Sequence, residues 1–180
     1  MQYFRFILFV ITLIIFTACN SQDVTKQPGK SKNIQGRQDT LILINKYLLK
    51  DDLEHIKNYI ERHNWKMQMT ETGLWYGIYE KGTDEQAVKG QIAKIKFTIE
   101  LLDGTLCYSS DKAGLKEFKL GQGNVESGLE EGLLLLHKGD KAHFIMPPHI
   151  AHGLIGDQNK IPARAVIVYT VELVDLMKIK

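Results

Sequence analysis

The residues of this chain best suited to chemistry are three histidines and one cysteine. His143, His149 and His152 lie within ten residues of one another, and histidines grouped in this way can bind zinc or nickel. We predict a strand for His143 and a loop for the other two, with no pair of cysteines nearby, so we expect neither a metal nor a cofactor. Cys107 is a candidate nucleophile paired with His152. No hydrolase-type motif surrounds it, and we favour a small, buried, hydrophobic role.

The other thiol, Cys19, follows an N-terminal apolar run. Arg5 precedes this run, residues 6–16, and two small residues lead to the cysteine. The run suits a cleaved secretory signal and is too short for a spanning helix, which needs about 20 residues. Residues 16–19, FTAC, resemble the lipobox of bacterial lipoproteins, in which the cysteine is acylated and becomes the new N-terminus. The alternative is an ordinary signal peptide or a retained anchor with an incidental cysteine.

Lipidation would place the protein outside the cytoplasm, anchored to a membrane through Cys19. Two or more acyl chains give stable anchoring. Asn20 follows the cysteine, in place of the aspartate associated with inner-membrane retention, so we expect the outer membrane rather than the inner one. Cys107 is then the only free thiol, and no internal disulfide can form.

Composition narrows the class of protein. The chain has 180 residues, 44% hydrophobic and 24% charged, with a net charge of +2. These values suit one globular domain with extensions and exclude a collagen-like or wholly disordered chain. Because nucleic-acid-binding proteins usually carry a strong basic bias, we expect no nucleic-acid partner.

Elements before the core divide into a signal, a tether and a helical arm. Residues 1–18 form the predicted signal peptide, and residues 19–40 are polar and rich in Gly, Pro, Ser, Gln and Lys, which predicts a flexible tether. Residues 41–64 form a predicted helical arm whose apolar side chains recur with a helical period. These are Leu49, Leu53, Ile56 and Ile60.

Two questions about this arm bear on its role. Asp51 and Glu54 have the spacing of a capping box, which predicts a break into two helices near Lys50. The arm could serve dimerisation or hold client proteins, or it could pack on its own domain. We favour packing on its own domain, because one short apolar stripe makes a small interface.

From residue 65 onward the apolar period changes to two, which predicts strands. Residues 65–86 are predicted lead-in strands, and residues 87–180 the main domain. Its strands are predicted near residues 92–101, 118–121, 142–146 and 165–176, and its helix over 125–137 ends at Gly139. Several antiparallel strands and one buried helix predict an α+β fold, in which a curved antiparallel sheet wraps around one short helix.

Six sequence blocks of this domain occur in the order and spacing of one known family. They are residues 101–110 (LLDGTLCYSS), 118–121 (FKLG), 125–132 (VESGLEEG), 138–140 (KGD), 150–153 (IAHG) with 161–162 (IP), and 171–173 (VEL). Residues 87–180 thereby resemble the FK506-binding-protein (FKBP) type of peptidyl-prolyl cis-trans isomerase. With its leader and helical arm, the chain also resembles the gliding-motility-associated lipoprotein isomerases of the Bacteroidota.

The resemblance implies catalysed rotation about X-Pro peptide bonds. The barrier is about 18–20 kcal/mol and arises from amide resonance. Lowering it needs an apolar pocket that strips water from the amide, with a few hydrogen-bond donors that favour the twisted form. The implied partners are proline-containing exported or unfolded polypeptides.

Carried over by register, the resemblance assigns nine residues to this pocket. They are Phe97, Cys107, Tyr108, Val125, Glu126, Leu129, His152, Ile161 and Tyr169. Glu126 would act through its backbone N–H, whatever its side chain, and Leu129 stands where many members have tryptophan.

Four of these residues depart from the family pattern. Phe97 and His152 replace tyrosines, Tyr108 replaces an aspartate, and Cys107 replaces a phenylalanine. The family's tyrosine at position 152 donates to the substrate carbonyl, and an imidazole can still donate one hydrogen bond. We therefore expect weak isomerase activity. The alternative is a non-catalytic module that binds proline-containing or unfolded segments. Such a module would act as a chaperone or as part of a secretion or gliding-motility machine.

Overall fold

The computed structural model describes residues 30–83 and 85–178, with the backbone alone for residues 30–36. The described residues divide between Ile44 and Asn45 into two units, and the second is called the Asn45–Lys180 unit below. Three α-helices and seven strands occur in the described residues, and we label each type in chain order. They are α1 (Lys30–Arg62), β1 (Gln68–Met69), β2 (Trp75–Glu80), β3 (Ile92–Leu101), β4 (Leu106–Ser109), α2 (Ser110–Ala113), β5 (Lys116–Lys119), α3 (Ser127–Leu134), β6 (Lys141–Met146) and β7 (Ile167–Met177).

The seven strands form one antiparallel sheet, which confirms the predicted fold class. Its order is β1-β2-β6-β7-β3-β4, and β5 pairs with β3 beside β4. The two longest strands, β3 and β7, pair from Ile92 opposite Met177 to Leu101 opposite Ile167. At the other edge of β3, β5 pairs with residues 92–95 and β4 with residues 98–100. The short helix α2 connects β4 to β5.

The sheet buries side chains on both faces. Along β6, Phe144 and Met146 belong to the main core, whereas Ile145 between them belongs to a second cluster. Along β7, Tyr169 is in the main core and Val168 in the second cluster. Successive strand residues point to opposite faces, so each face packs against its own cover.

The helix α3 covers the main core. Its Gly128 and Gly132 lie one turn apart on the face toward β6, and a Cβ atom on Gly132 would lie 2.7 Å from the ring of Phe144. Glycine at these positions lets the helix approach the sheet closely. The helix is shorter than predicted and ends at Leu134, so Gly139 forms the turn before β6 rather than the end of the helix.

The second face is covered by residues of α1 that lie in the Asn45–Lys180 unit. Ile56 and Tyr59 are buried against Ile145, Val166 and Val168. This part of the arm therefore packs on its own domain, the alternative that we favoured.

Two predictions about the N-terminal region are wrong. The structure has no break near Lys50, because Asp51 lies within a continuous helix and pairs with His55 one turn later, 3.6 Å away. Residues 30–40 are helical rather than a tether. They contain no proline and a single glycine, Gly36, so little in them opposes a helix.

The predicted signal peptide, the proposed lipidation site Cys19 and the first part of the tether lie outside the described residues. Within the described residues, no helix combines the length and the apolar character needed to cross a membrane.

Candidate functional site

A cavity of about 370 Å³ opens between β3, β4, α2 and the loop that precedes β7. Its walls combine apolar side chains with a few charged ones. They are Phe97, Ile99, Tyr108, Ala113, Gly114, Leu115, Lys116, Glu126, His152 and Asp157. Four of the nine residues assigned from sequence, Phe97, Tyr108, Glu126 and His152, thus line one cavity.

The remaining assigned residues lie in or against the core next to this cavity. Leu129 and Tyr169 are fully buried and Ile161 is 2% exposed, all in the cluster that contains Phe97. The Tyr169 ring lies 6.0 Å from the Phe97 ring, centre to centre. Val125 is partly buried and packs against the same cluster. None of these four side chains is part of the cavity lining; they belong to the apolar core, or pack against it, behind Phe97.

Cys107 faces a different, smaller cavity of about 180 Å³, beside Lys160 and Lys112. It is 2% exposed, and its Sγ atom is 3.5 Å from the Lys160 carbonyl oxygen. Burial raises the pKa of this thiol, which opposes the thiolate that a nucleophile needs. These observations support the small, buried role.

The three clustered histidines have separate partners. The His143 ring stacks between Trp65 and Tyr79, at centre distances of 3.8 and 4.5 Å. His149 Nε2 is 2.8 Å from the Thr72 carbonyl oxygen, and His152 lines the larger cavity. Among residues 30–83 and 85–178, no three His, Cys, Asp or Glu side chains lie close enough together to hold a metal ion.

The side chain of Glu126 has a role that sequence reasoning missed. It is 9% exposed, and its Oε1 atom accepts a hydrogen bond of 3.0 Å from the Tyr169 hydroxyl. His152 Nε2 lies 3.1 Å from the same oxygen, and Lys116 Nζ lies 3.8 Å from Oε2. Burial, and then the Glu126 charge, raise the pKa of Tyr169. A carboxylate thus joins three pocket residues from three different segments.

A second carboxylate, Asp157, was also missed. The Tyr108 hydroxyl donates to its Oδ2 atom, and the N–H groups of Asn159 and Ile161 donate to Oδ1 at 2.9 and 2.7 Å. Partial burial opposes its charge, but these hydrogen bonds outweigh burial and lower the pKa of Asp157 to about 2. The family's carboxylate at position 108 is therefore replaced by one that reaches Tyr108 from another loop.

The loop that carries His152 and Asp157 is held in place by its own backbone. Gly156 has a φ of +69°, and a Cβ atom there would lie 2.2 Å from the Ile161 carbonyl oxygen, so only glycine fits. At the end of the loop, the Arg164 N–H donates to the Gly153 carbonyl, and its guanidinium pairs with Asp52 of α1 at 2.9 Å. The sequence did not predict a site role for Asp157, because residues 156–159, Gly-Asp-Gln-Asn, are typical of an ordinary solvent-exposed turn.

The curved antiparallel sheet, the helix that packs closely on it through two glycines, and the cavity with aromatic walls beside the sheet are those of an FKBP domain. The family model for the FKBP-type peptidyl-prolyl cis-trans isomerase matches residues 83–174. The chain belongs to this family.

Relatives and solved structures agree with this assignment. FK506-binding protein 2 of Yarrowia lipolytica is 32% identical over 112 residues, which cover 62% of this chain and 78% of the relative. The isomerase FkpA of Aeromonas hydrophila is 37% identical over 113 residues, which cover 62% of this chain and 41% of FkpA. The crystal structure of AtFKBP13 aligns with a TM-score of 0.58 at 25% identity, covering 61% of this chain and 98% of AtFKBP13.

A further structure shows the same fold over more of the chain. FkpA from Escherichia coli aligns with a TM-score of 0.63 at 22% identity, covering 99% of this chain and 83% of that structure. Several other curated relatives are much longer than this chain; the match to human FKBP9 covers 16% of its length and 49% of this chain.

Proposed function

We propose that this chain is a peptidyl-prolyl cis-trans isomerase that acts on exported proteins. The observation that carries the proposal is the cavity of about 370 Å³ with Phe97 on its wall and buried Leu129 and Tyr169 next to it. Such a pocket can take up a proline ring and remove water from the preceding amide. Loss of water disfavours the planar, charge-separated amide relative to the twisted one.

Polar groups at the rim supply the second requirement, donors toward a substrate carbonyl. His152 lines the cavity, whereas the Tyr108 hydroxyl is already engaged with Asp157. Loss of a single donor costs about 3 kcal/mol where a full oxyanion forms and less where no full charge develops, as here. We therefore expect catalysis weaker than that of family members with a tyrosine in place of His152.

The full-length chain, purified in detergent, tests the proposal in an assay of cis-to-trans exchange on a Leu-Pro peptide. We expect acceleration proportional to enzyme concentration and a loss of at least about tenfold for Phe97→Leu, because the proline contact becomes smaller and softer. Phe118→Leu is the matched control. Lys116 lies about equally close to both rings, 5.9 and 6.0 Å, but Phe118 is not on the cavity wall. No acceleration at high enzyme concentration would overturn the proposal.

We propose further that the domain works outside the cytoplasm, held to the outer membrane by lipid on Cys19. The support is the sequence of residues 5–20, since these residues lie outside the described structure. Metabolic labelling with a fatty acid, compared between the wild type and Cys19→Ser, tests the anchor. Labelling that persists in Cys19→Ser, or none in the wild type, would contradict it.

A second candidate is a non-catalytic module that binds proline-containing or unfolded segments, in a secretion or gliding-motility machine. The observation that favours it is the Tyr108 to Asp157 hydrogen bond, which occupies a hydroxyl at the pocket rim. Binding of proline peptides without any exchange catalysis, together with normal function in cells, would decide for this candidate.

A further inference from the structure

The position of the ring proton of His152 is set by the contact of one ring nitrogen with Glu126. His152 Nε2 is buried and has no regular hydrogen-bond partner, and it lies 3.1 Å from Glu126 Oε1. A carboxylate oxygen can only accept, and two lone pairs repel at this distance, so the proton must sit on Nε2. Lys116, 3.8 Å from Oε2, supplies the positive charge that a buried carboxylate needs.

This arrangement limits what the ring can offer a substrate. The His152 side chain is 24% exposed, and because Nε2 is buried this surface belongs to its other atoms, Nδ1 among them. A neutral imidazole carries one N–H. With that proton on Nε2, Nδ1 can accept a hydrogen bond but cannot donate one. The expectation that His152 donates to the substrate carbonyl therefore requires the doubly protonated, charged ring.

We propose that Glu126 is a positioning residue that makes catalysis in this pocket depend on acid, because it leaves His152 a donor only in its charged form. The inference rests on the proposed isomerase function. It also gives Glu126 a side-chain role, in addition to the backbone N–H implied by the family resemblance.

The other titratable groups that face His152 hold their charge state through the relevant pH range. Tyr108 on β4 and Tyr169 on β7 have raised pKa values and stay neutral. Asp157, in the same loop, has a pKa of about 2 and stays ionised. Lys116 on β5 places its Nζ atom 3.8 Å from Glu126 Oε2. Histidine is the residue type whose charge changes between pH 5 and pH 8.

The test measures kcat/KM for the full-length chain from pH 5 to pH 9. For the wild type we expect a rise of about tenfold toward acid pH, the effect of one hydrogen bond to a charged donor. Glu126→Leu should flatten the profile, because the neutral ring is then free to donate from either nitrogen. His152→Tyr should also be flat, because a phenol keeps its proton across this range. Glu130→Gln, a carboxylate change in α3, which begins one residue after Glu126, should keep the wild-type slope.

A second measurement does not depend on catalysis. The ¹⁵N chemical shifts of the His152 ring, recorded at pH 8.5, report which nitrogen carries the proton. We expect the Nε2–H tautomer in the wild type and a mixture in Glu126→Leu. A flat wild-type profile, a wild-type slope in Glu126→Leu, or an Nδ1–H tautomer in the wild type would overturn the proposal. Absence of catalysis at every pH would instead overturn the proposed function, and the ring shifts would still decide the role of Glu126.

Discussion

Replacement of Asp157 by asparagine should loosen the loop that forms one wall of the pocket. The aspartate accepts hydrogen bonds from the Tyr108 hydroxyl and from the N–H groups of Asn159 and Ile161. Asparagine of the same size keeps one oxygen for the two amides but loses the charge. Bonds to a charged acceptor contribute about 1.5–3 kcal/mol each and neutral ones about 0.5–1.5, so the substitution weakens all three.

The pKa of Asp157 gives an independent estimate of the effect. Its fall from 3.8 to about 2 is worth about 2.4 kcal/mol at about 1.36 kcal/mol per unit. Because Asp157 is partly exposed, solvent screening reduces this value, and we expect Asp157→Asn to lower the free energy of unfolding by about 1–2 kcal/mol at pH 7.

The sign of the pH dependence is fixed by the direction of the shift. The folded pKa lies below the unfolded one, so the stabilisation is complete above about pH 4 and is lost as the pH falls toward 2. Urea unfolding of the wild type and Asp157→Asn, measured at pH 7 and at pH 2.5, should therefore show a stability difference that shrinks to about a third at the acid pH. Asp103→Asn is the control, since the Asp103 carboxylate lies in an exposed turn and accepts its hydrogen bonds from Thr105 and from its own backbone. Equal stability of Asp157→Asn and wild type at pH 7, or a difference at pH 2.5 as large as the difference at pH 7, would refute the reasoning.

Two further predictions concern the two faces of the sheet. Burial, with a smaller contribution from His63, lowers the pKa of His143 from 6.5 to about 4. The free energy of unfolding should therefore be highest above pH 6.5 and fall by up to about 3 kcal/mol as the pH drops to 4. Urea unfolding above pH 6.5 and at pH 4 should show that His143→Gln lacks this fall. Gly132→Ala places a Cβ atom 2.7 Å from the buried Phe144 ring and should destabilise by about 1–3 kcal/mol, while Gly128→Ala meets the flexible Met146 side chain and should cost less. Thermal unfolding of the two alanine variants checks this order, and a larger loss for Gly128→Ala would contradict it.

The sequence was most informative where the signal is periodic. Alternation along β3, β6 and β7 predicted strands, and the glycines and leucines of residues 125–137 predicted the buried helix, because burial on one face imposes a period on the sequence. The site residues that line the cavity, Phe97 among them, came from resemblance to a family rather than from any local pattern.

What the sequence could not give was the set of side-chain contacts between distant segments. The Tyr108 to Asp157 pair spans 49 positions and the Glu126 to Tyr169 pair spans 43, and neither spacing is set by a helical or strand period. The prediction of a helix break near Lys50 was wrong for the opposite reason. A local capping pattern was present, but a continuous helix buries Ile56 and Tyr59 against the sheet, and tertiary packing outweighs local preference.

The Asp52 to Arg164 ion pair couples two parts of the domain mechanically. The backbone N–H of Arg164 donates a hydrogen bond to the carbonyl of Gly153, the residue that follows His152 in the pocket loop. The Arg164 side chain forms the ion pair with Asp52 of α1. The loop therefore lines the cavity and is also joined to α1 by this ion pair. A load applied to the 45–62 segment of α1 must either break this pair or pass into the loop that lines the cavity.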